Sequence, residues 1–221
     1  MAFSPESDLV AENLTCRRGA RLIFAQLSLT VPPGGALVLT GANGSGKSSL
    51  LRLLATLLTP VAGRLLWGGA PVWDDLPVYR ARLHHVGHLD AIKPALGVRE
   101  TLSFWAAIGG GDPSALDGAL ASFGLETISD WPCRWLSAGQ RRRLALARLV
   151  AAPAPIWLLD EPNAALDSDG QARLATLIAE HRAAGGSVAI ATHQPIALSD
   201  AAFVVLEDFA ASADAALASW Q

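Results

Sequence analysis

Cysteine, lysine and long apolar runs are all scarce in this 221-residue sequence. Its two cysteines, Cys16 and Cys133, stand apart without C-x-x-C or Cys/His spacing, which argues against a disulfide framework or a zinc site and favours free thiols in the cytoplasm. No apolar run reaches the roughly 18 residues of a membrane-spanning helix, and the N-terminus MAFSPESDLV lacks the basic and apolar regions of a signal peptide. We therefore expect neither a spanning helix nor a secretory leader.

Excess positive charge is also absent. The net charge is -3, whereas binding to nucleic acid through its phosphates needs clustered cations, so we expect no nucleic-acid partner. A hydrophobic content of 51% is enough for a full core, but the chain is too short for two large domains. The sequence therefore predicts one domain, residues 1–221, with an inserted lobe.

One of only two lysines lies in the stretch GANGSGKSS, residues 41–49. This stretch fits G-x-x-x-x-G-K-[ST], in which glycines let successive N–H groups turn toward phosphate, the lysine reaches the terminal phosphates and the serine hydroxyl binds Mg²⁺. A strand-like run precedes it and a helical run follows, whose N-terminus would face the same phosphates. The alternative is a glycine-rich loop that merely joins strand to helix. The predicted nucleotide-binding residues are Gly41, Ala42, Asn43, Gly44, Ser45, Gly46, Lys47, Ser48 and Ser49.

Hydrophobic periodicity predicts alternating strands and helices along most of the chain. Strands are expected at 22–31 and 35–40 and in PIWLLD, SVAIAT and AFVVLE, helices at 48–58 and 169–184, a hairpin at 64–74, and mostly helix over 97–150. Such alternation is typical of the α/β class, with a mostly parallel sheet covered by helices.

Two acids follow a buried strand in the stretch IWLLDE, residues 156–161. They lie at the carboxyl end of the strand, where open α/β sheets bind ligands. Alone, such a pair is more often a solvated loop. Together with a phosphate loop, it predicts that Asp160 holds Mg²⁺, usually through water, and that Glu161 polarises the water that attacks the γ-phosphate.

A helix is predicted to begin in the stretch LSAGQRRRLALARL, residues 136–149. Ser137 and Gln140 satisfy the S-x-x-Q capping box, and the arginines at 141–143 are expected to form a solvated face. Capping does not explain Gly139, which costs about 1 kcal/mol relative to alanine in a helix. A bare, glycine-lined helix N-terminus is an anion site.

Five segments together resemble the ATP-binding subunits of ABC transporters. GANGSGKSS, LSAGQ, IWLLDE, ALD at 165–167 and THQ at 192–194 occur in that family's order and at roughly its separations, over about residues 9–208. LSAGQ is similar to the signature motif, with Ala138 in place of the first glycine. The resemblance implies a P-loop NTPase of the ABC ATPase type, with a mostly parallel sheet core, an antiparallel β edge and an inserted helical subdomain at about 90–150.

The same resemblance implies an ATPase that works as a head-to-tail dimer. Residues Ser137, Ala138, Gly139 and Gln140 of one subunit would close over the ATP held by Lys47 of the other. Asp167 would communicate between the two sites. His193 would contact the γ-phosphate, although a histidine after a strand is otherwise more often structural.

A narrower resemblance concerns the haem-exporter ATP-binding subunits of cytochrome c maturation, the CcmA family. It rests on the short length and on the phrases GHLDAIKPALGVRETLSFW, LSAGQRRRLALARL and ATHQ. It implies transport of haem or release of a haem-loaded chaperone, integral membrane partners like CcmB and CcmC, and a peripheral place on the cytoplasmic face of the bacterial inner membrane. No residue suggests haem ligation, since in a strand His84 and His88 share one face while His85 points away.

Two departures from the ABC pattern matter for the site. The glutamine that many such ATPases place near Mg²⁺ would fall in GHLDAIK, where this chain has His88, Leu89 and Asp90. Leu89 cannot coordinate a metal or a water. The aromatic residue that stacks on adenine would fall near CRRGAR, where Arg17 or Arg18 would stack through its guanidinium plane instead.

Several function classes therefore stay open. A transporter ATPase needs an apolar surface on which the coupling helix, a helix of the membrane subunit, can dock. Phe104, Trp105, Trp131 and Trp135 could supply this surface, with core packing as the alternative. A soluble ABC-type ATPase in Fe–S assembly or translation, and the subunit of another exporter, are the other candidates, although translation factors of that kind usually carry two cassettes. A last class is a scaffold that binds nucleotide without hydrolysing it, and Glu161 argues against this class.

Overall fold

The computed structural model describes residues 7–193, 196 and 198–210. Within these residues the strands are β1 Leu9–Arg18, β2 Arg21–Val31, β3 Ala36–Thr40, β4 Ala62–Trp67, β5 Ala70–Pro71, β6 Leu83–Val86, β7 Ile156–Asp160, β8 Ser187–Ala191 and β9 Ala201–Val205. The α-helices are α1 Lys47–Leu54, α2 Leu76–Arg80, α3 Val98–Ile108, α4 Leu116–Ser122, α5 Ala138–Ala151 and α6 Ser168–Ala183.

The strands form two sheets. Five of them make a parallel sheet in the order β6-β7-β8-β3-β9, and four make an antiparallel sheet in the order β2-β1-β4-β5. The predicted α/β class, with a mostly parallel core and an antiparallel edge, is thus confirmed. Because β3 and β7 both pair with β8, the segments that follow these three strands meet at one edge of the sheet.

The parallel sheet is buried on both faces, as side-chain alternation along β7 shows. Trp157 and Leu159 belong to an apolar cluster with helices α3 to α6, whereas Ile156 and Leu158 belong to a second cluster with α1 and the antiparallel sheet. Leu158 and Leu159 are fully buried, and each such side chain contributes roughly 1.5–3 kcal/mol relative to an exposed one. This two-sided burial explains the uninterrupted apolar run before the acids.

Two local differences from the predicted elements have clear causes. Helix α1 ends at Leu54 instead of residue 58, because Thr56 adopts a left-handed backbone with φ 55°. The Arg80 guanidinium donates to the Thr56 carbonyl and hydroxyl oxygens at 3.0 and 2.9 Å, which holds the chain in this turn. Strand β1 was not predicted, because register shifts along it interrupt simple alternation.

Helices α3, α4 and α5 lie between β6 and β7 in the chain and pack together. Leu102, Leu120, Phe123 and Leu144 are buried in their shared cluster, which also reaches the parallel sheet. The mostly helical segment predicted at 97–150 is present, with turns between the helices. Across the described part of the chain, no helix combines the length and apolar character needed to cross a membrane.

Candidate functional site

A cavity of about 630 Å³ opens at the carboxyl edge of the parallel sheet. Its wall combines the phosphate-loop segment, the acids after β7 and the histidine after β8, which are far apart in sequence. The lining residues are Arg18, Arg21, Ile23, Asn43, Gly44, Gly46, Lys47, Ser48, Ser49, His88, Asp160, Glu161 and His193. The other residues of the predicted loop, Gly41, Ala42 and Ser45, lie outside this lining.

The loop before α1 is tightly wound around the lysine. Gly46 has φ 114°, and a Cβ there would lie 2.6 Å from the Ile23 side chain, so both conformation and space require glycine. The Lys47 ammonium is buried and donates to the carbonyl oxygens of Gly41 and Ala42 at 2.6 and 3.0 Å. The cation therefore lies inside the loop, next to the N-terminus of α1.

Two side chains whose oxygen atoms could bind a metal, Ser48 and Asp160, lie together next to the phosphate loop. The Ser48 hydroxyl donates to Oδ1 of Asp160 at 3.0 Å, and Asp160 is only 3% exposed. A hydroxyl and a carboxylate are ligands that suit Mg²⁺, which usually takes its remaining ligands from water and substrate phosphates. Among the described residues, no cluster of three or more His, Cys, Asp or Glu side chains could hold a metal ion, so a cation here would need such additional oxygens.

Glu161 and His193 are in direct contact in the wall of the cavity. Nδ1 of His193 lies 2.9 Å from Oε2 of Glu161, and the His193 backbone N–H donates to the same oxygen at 3.4 Å. The Glu161 backbone is left-handed with φ 47°, and its N–H donates to the Ala191 carbonyl oxygen at 2.8 Å. Gln194, the last residue of the THQ segment, is outside the described residues.

A further acid, Glu207, touches the phosphate loop from the segment after β9. Its carboxylate accepts a hydrogen bond from the Ala42 N–H, and this bond, with a smaller contribution from the charge of Lys47, lowers the pKa of Glu207. A Cβ on Gly41 would lie 2.3 Å from Oε2 of Glu207. Sequence reasoning missed this contact because the two segments are more than 160 residues apart.

The hairpin of β1 and β2 forms another wall of the cavity. Arg18, Arg21 and Ile23 line it, and Arg18 pairs with Arg21 across the hairpin. Of the two arginines predicted to stack on a base, the structure brings Arg18 to the cavity, while Arg17 does not line it. Arg21 and Ile23 were not predicted.

The segment after β6 presents His88 and not Leu89 to the cavity. His88 is among the lining residues, whereas Leu89 is 83% exposed and does not line the cavity. Strand β6 ends at Val86, so His88 lies beyond the strand that contains His84 and His85. His84 contacts the Ala152 carbonyl oxygen, and its burial lowers its pKa to about 4.

The start of α5 has the predicted capping box. The Gln140 N–H donates to the Ser137 hydroxyl at 3.1 Å, and the Ser137 N–H donates to the Gln140 side chain at 2.9 Å. Gly139 has a packing reason as well, because a Cβ there would lie 2.8 Å from the Ala165 carbonyl oxygen. The first turn of α5 therefore lies directly against the segment that leads to Asp167.

Asp167 and the signature residues form a hollow of their own. Its lining is Ser137, Gly139, Gln140, Arg143, Ala165 and Asp167, and it shares no residue with the cavity at the sheet edge. The Asp167 carboxylate accepts from the Gly170 N–H at 2.9 Å and pairs with Arg143 at 2.5 Å. These contacts lower the pKa of Asp167.

The predicted solvated arginine face is wrong for Arg142. This residue is only 3% exposed, and its guanidinium donates to the backbone carbonyl oxygens of Asp160 and Glu161. Arg143 is also largely covered, with 17% of its side chain exposed. Charge runs are usually solvated, but here the helix is enclosed by neighbouring loops.

The fold and the cavity define a nucleotide-binding protein of the ABC ATPase type. Residues 24–164 match the model of the ABC transporter family. A solved structure, a putative ABC transporter ATP-binding protein from Pyrococcus furiosus, superimposes with a TM-score of 0.81 at 22% identity, covering 92% of this chain and 100% of that one. This likeness supports the fold.

Curated relatives narrow the family. The chain is 55% identical to the cytochrome c biogenesis ATP-binding export protein CcmA of Rhodospirillum rubrum, over 93% of this chain and 89% of that protein. It is 50% identical to the CcmA protein of Paramagnetospirillum magneticum, over 93% and 96%. The chain belongs to the CcmA family of ABC transporter ATP-binding proteins. Both resemblances found in the sequence are thereby confirmed.

Proposed function

We propose that this chain is the ATP-hydrolysing subunit of an exporter in cytochrome c biogenesis, which transports haem or releases a haem-loaded chaperone. The observation that carries the proposal is one cavity lined by Lys47, Ser48, Asp160, Glu161 and His193. The family supplies ATP as the substrate, and the relatives' names supply the cytochrome c context.

Binding begins with the phosphates. The N–H groups around Gly44 and Gly46 and the N-terminus of α1 form a site for anionic oxygens. The Lys47 ammonium lies within this loop, bonded to two of its carbonyl oxygens. Phosphate oxygens offer it a stronger, charge-assisted partner, so Lys47 exchanges carbonyls for phosphate when ATP binds.

The side chains beside Lys47 fit a magnesium ion. Ser48 and Asp160 would hold it, directly or through water. When bound, Mg²⁺ neutralises charge on the β- and γ-phosphate oxygens. The hydrogen bond between the Ser48 hydroxyl and Asp160 keeps both oxygens at this place in its absence.

Hydrolysis is assigned to Glu161 and His193. One carboxylate oxygen of Glu161 is held by Nδ1 of His193 at 2.9 Å, which leaves the other oxygen to orient the attacking water and accept its proton. The His193 ring is partly exposed and lines the same cavity, where it would contact the γ-phosphate. The phosphate loop positions the electrophile while these two side chains position the nucleophile.

The polar role of the missing glutamine is assigned to His88. We expect His88→Ala to lower kcat by about tenfold, which is less than the 10²- to 10⁴-fold typical of a group that itself transfers a proton, because the role assigned to His88 is positioning. Leu89→Gln should leave kcat within about twofold, because Leu89 is 83% exposed and outside the cavity. Steady-state ATPase assays on both variants make the comparison. Severe loss at Leu89 with a neutral His88 would show that the loop has been misassigned.

The separate signature hollow supports a head-to-tail dimer. Because Ser137, Gly139 and Gln140 do not line the chain's own nucleotide cavity, they are free to close over ATP held by a second copy, together with Ala138. Asp167, paired with Arg143 of α5, would link the two sites. In each chain the predicted helical subdomain, about 90–150, presents this surface.

An apolar surface on α3 fits an integral membrane partner. Phe104 and Ile108 are 51% and 71% exposed, and Ile108 and Trp105 line a second cavity of about 430 Å³ with Arg148. The Arg148 guanidinium lies 5.4 Å from the Trp105 ring centroid. A coupling helix of CcmB- or CcmC-like subunits would dock here, which would place the chain on the cytoplasmic face of the inner membrane. Trp131 and Trp135 do not line this cavity.

Co-purification from a detergent extract tests the membrane assignment. The unsubstituted chain should bring down a CcmB- or CcmC-like protein, and Phe104→Asp combined with Ile108→Asp should abolish this. Phe203→Asp is the matched control, since Phe203 is 63% exposed but lies on β9, away from α3. An active ATPase that never retains a membrane protein would favour the soluble alternative in Fe–S assembly or translation.

A further inference from the structure

Arg142 connects three segments of the site from inside the protein. Its Nη2 donates to the carbonyl oxygens of Asp160 and Glu161 at 2.6 and 2.8 Å. Its Nη1 donates to the Gly87 carbonyl oxygen at 2.9 Å and to Oδ1 of Asp90 at 3.1 Å. One guanidinium therefore joins α5, the end of β7 and the loop that contains His88.

Because the Arg142 guanidinium is buried, its charge and its hydrogen-bond donors need partners inside the protein. The Arg142 side chain is 4% exposed and that of Asp90 is 24% exposed, so the charge is paired with a carboxylate that is itself largely shielded. A buried guanidinium is tolerated only when its donors are satisfied. Each terminal nitrogen has partners here, and the planar fork fixes their relative directions in a way that a lysine cannot reproduce.

The contacts fall on the backbone from which the catalytic side chains project. The carbonyl oxygens of Asp160 and Glu161 belong to the two peptide groups on either side of the Glu161 Cα, where the chain leaves β7 in a left-handed conformation. Holding both oxygens sets the direction in which the Glu161 carboxylate leaves the strand. The bond to Gly87 sets the position of the adjacent His88 by the same means.

We propose that Arg142 is a positioning residue for ATP hydrolysis, which couples the signature helix α5 to the catalytic carboxylate of the same chain. A displacement at Ser137, which caps α5 five residues before Arg142, reaches Glu161 through the guanidinium. The inference rests on the proposed ATPase function and assigns no contact between Arg142 and ATP. It predicts an effect on turnover and little effect on nucleotide binding.

Three substitutions test this proposal. Arg142→Gln should lower kcat by about 10- to 100-fold, with the KM for ATP changed less than about threefold, because the phosphate loop and α1 are untouched. Arg142→Lys should recover only part of the loss, since it keeps the charge but not the fork. Asp90→Asn should lower kcat by a smaller factor, and adding it to Arg142→Gln should cause little further loss.

Arg99→Gln is the matched control. Arg99 also pairs with an aspartate, Asp117, at 2.6 Å, but this pair is exposed and lines neither the cavity nor the signature hollow. Its kcat and KM should equal those of the unsubstituted protein. Melting temperatures measured in parallel separate loss of fold from loss of turnover. If Arg142→Gln does not fold, the same comparison of kcat with KM is made on Asp90→Asn.

The outcomes are distinct. A folded Arg142→Gln variant with normal kcat, or a folded Asp90→Asn variant with normal kcat when Arg142→Gln fails to fold, would overturn the inference alone. Equal changes in kcat and KM across the series would also overturn it, because they indicate general damage to the cavity. Absence of hydrolysis by the unsubstituted protein, in complex with its membrane partner, would overturn the proposed function and this inference with it.

Discussion

Glu161→Gln should lower ATP hydrolysis by about 10²- to 10⁴-fold while ATP still binds. Glutamine has nearly the shape of glutamate and can still contact His193, which lies 2.9 Å from the carboxylate, but it cannot accept the proton of the attacking water. Single-turnover hydrolysis and equilibrium ATP binding, measured on the same preparation, separate the two effects. Retained hydrolysis in this variant would remove Glu161 from the catalytic role.

The same variant should reveal the dimer. Binding without turnover traps the closed state, in which each γ-phosphate meets Lys47 of one chain and the start of α5 of the other. Sizing chromatography of the Glu161→Gln protein should therefore show a dimer with Mg-ATP and a monomer without it. Adding Ser137→Arg should restore the monomer by filling the signature hollow, without removing the Lys47 contact. A monomer at high protein and ATP concentration, with bound nucleotide confirmed, would count against the head-to-tail dimer.

Lys47→Ala should abolish ATP binding and hydrolysis with the fold retained. The ammonium is the cation of the phosphate loop, so its loss leaves the terminal phosphates without a charged partner. Lys47 is buried and bonded to Gly41 and Ala42, so the substitution should also lower the free energy of unfolding by about 0.5–3 kcal/mol, as single substitutions usually do. Isothermal titration with ATP gives the affinity.

The other lysine provides the control for this experiment. Lys93 is exposed and does not line the cavity, so Lys93→Ala removes the same charge from the protein as a whole. Its ATP affinity should match that of the unsubstituted chain. Undiminished nucleotide affinity in a folded Lys47→Ala variant would rule out the assignment of the loop.

The parts of the site that could be predicted are those contained in short stretches. Lys47 and Ser48 are adjacent, and Asp160 and Glu161 are adjacent, so their spacing is visible in the sequence. The structure then brings the two pairs together, with the Ser48 hydroxyl 3.0 Å from Asp160. Local periodicity also predicted the buried strand before the acids, because burial on both faces leaves a continuous apolar run.

The parts that could not be predicted depend on tertiary contacts. Arg142 reads as one of three charged residues on a helix, and only the enclosing loops make it a buried connector. Glu207 reaches the phosphate loop from the other end of the chain. The choice of His88 over Leu89 depends on where β6 ends, and no local signal in that segment marks the last residue of the strand.

The position of β8 has a consequence for the synthesis of this protein. β8 lies between the phosphate-loop strand β3 and the acid strand β7 and pairs with both. A ribosome completes the phosphate loop early and the acids much later, yet neither strand has its middle neighbour until residues 187–191 have emerged. Because β3 and β7 are joined in the sheet only through β8, a nascent chain that ends before β8 lacks the strand that holds the phosphate loop and the acids at one edge. Nucleotide can therefore bind in the cavity only of a nearly complete chain, and this binding stabilises the finished sheet over its partly made precursors.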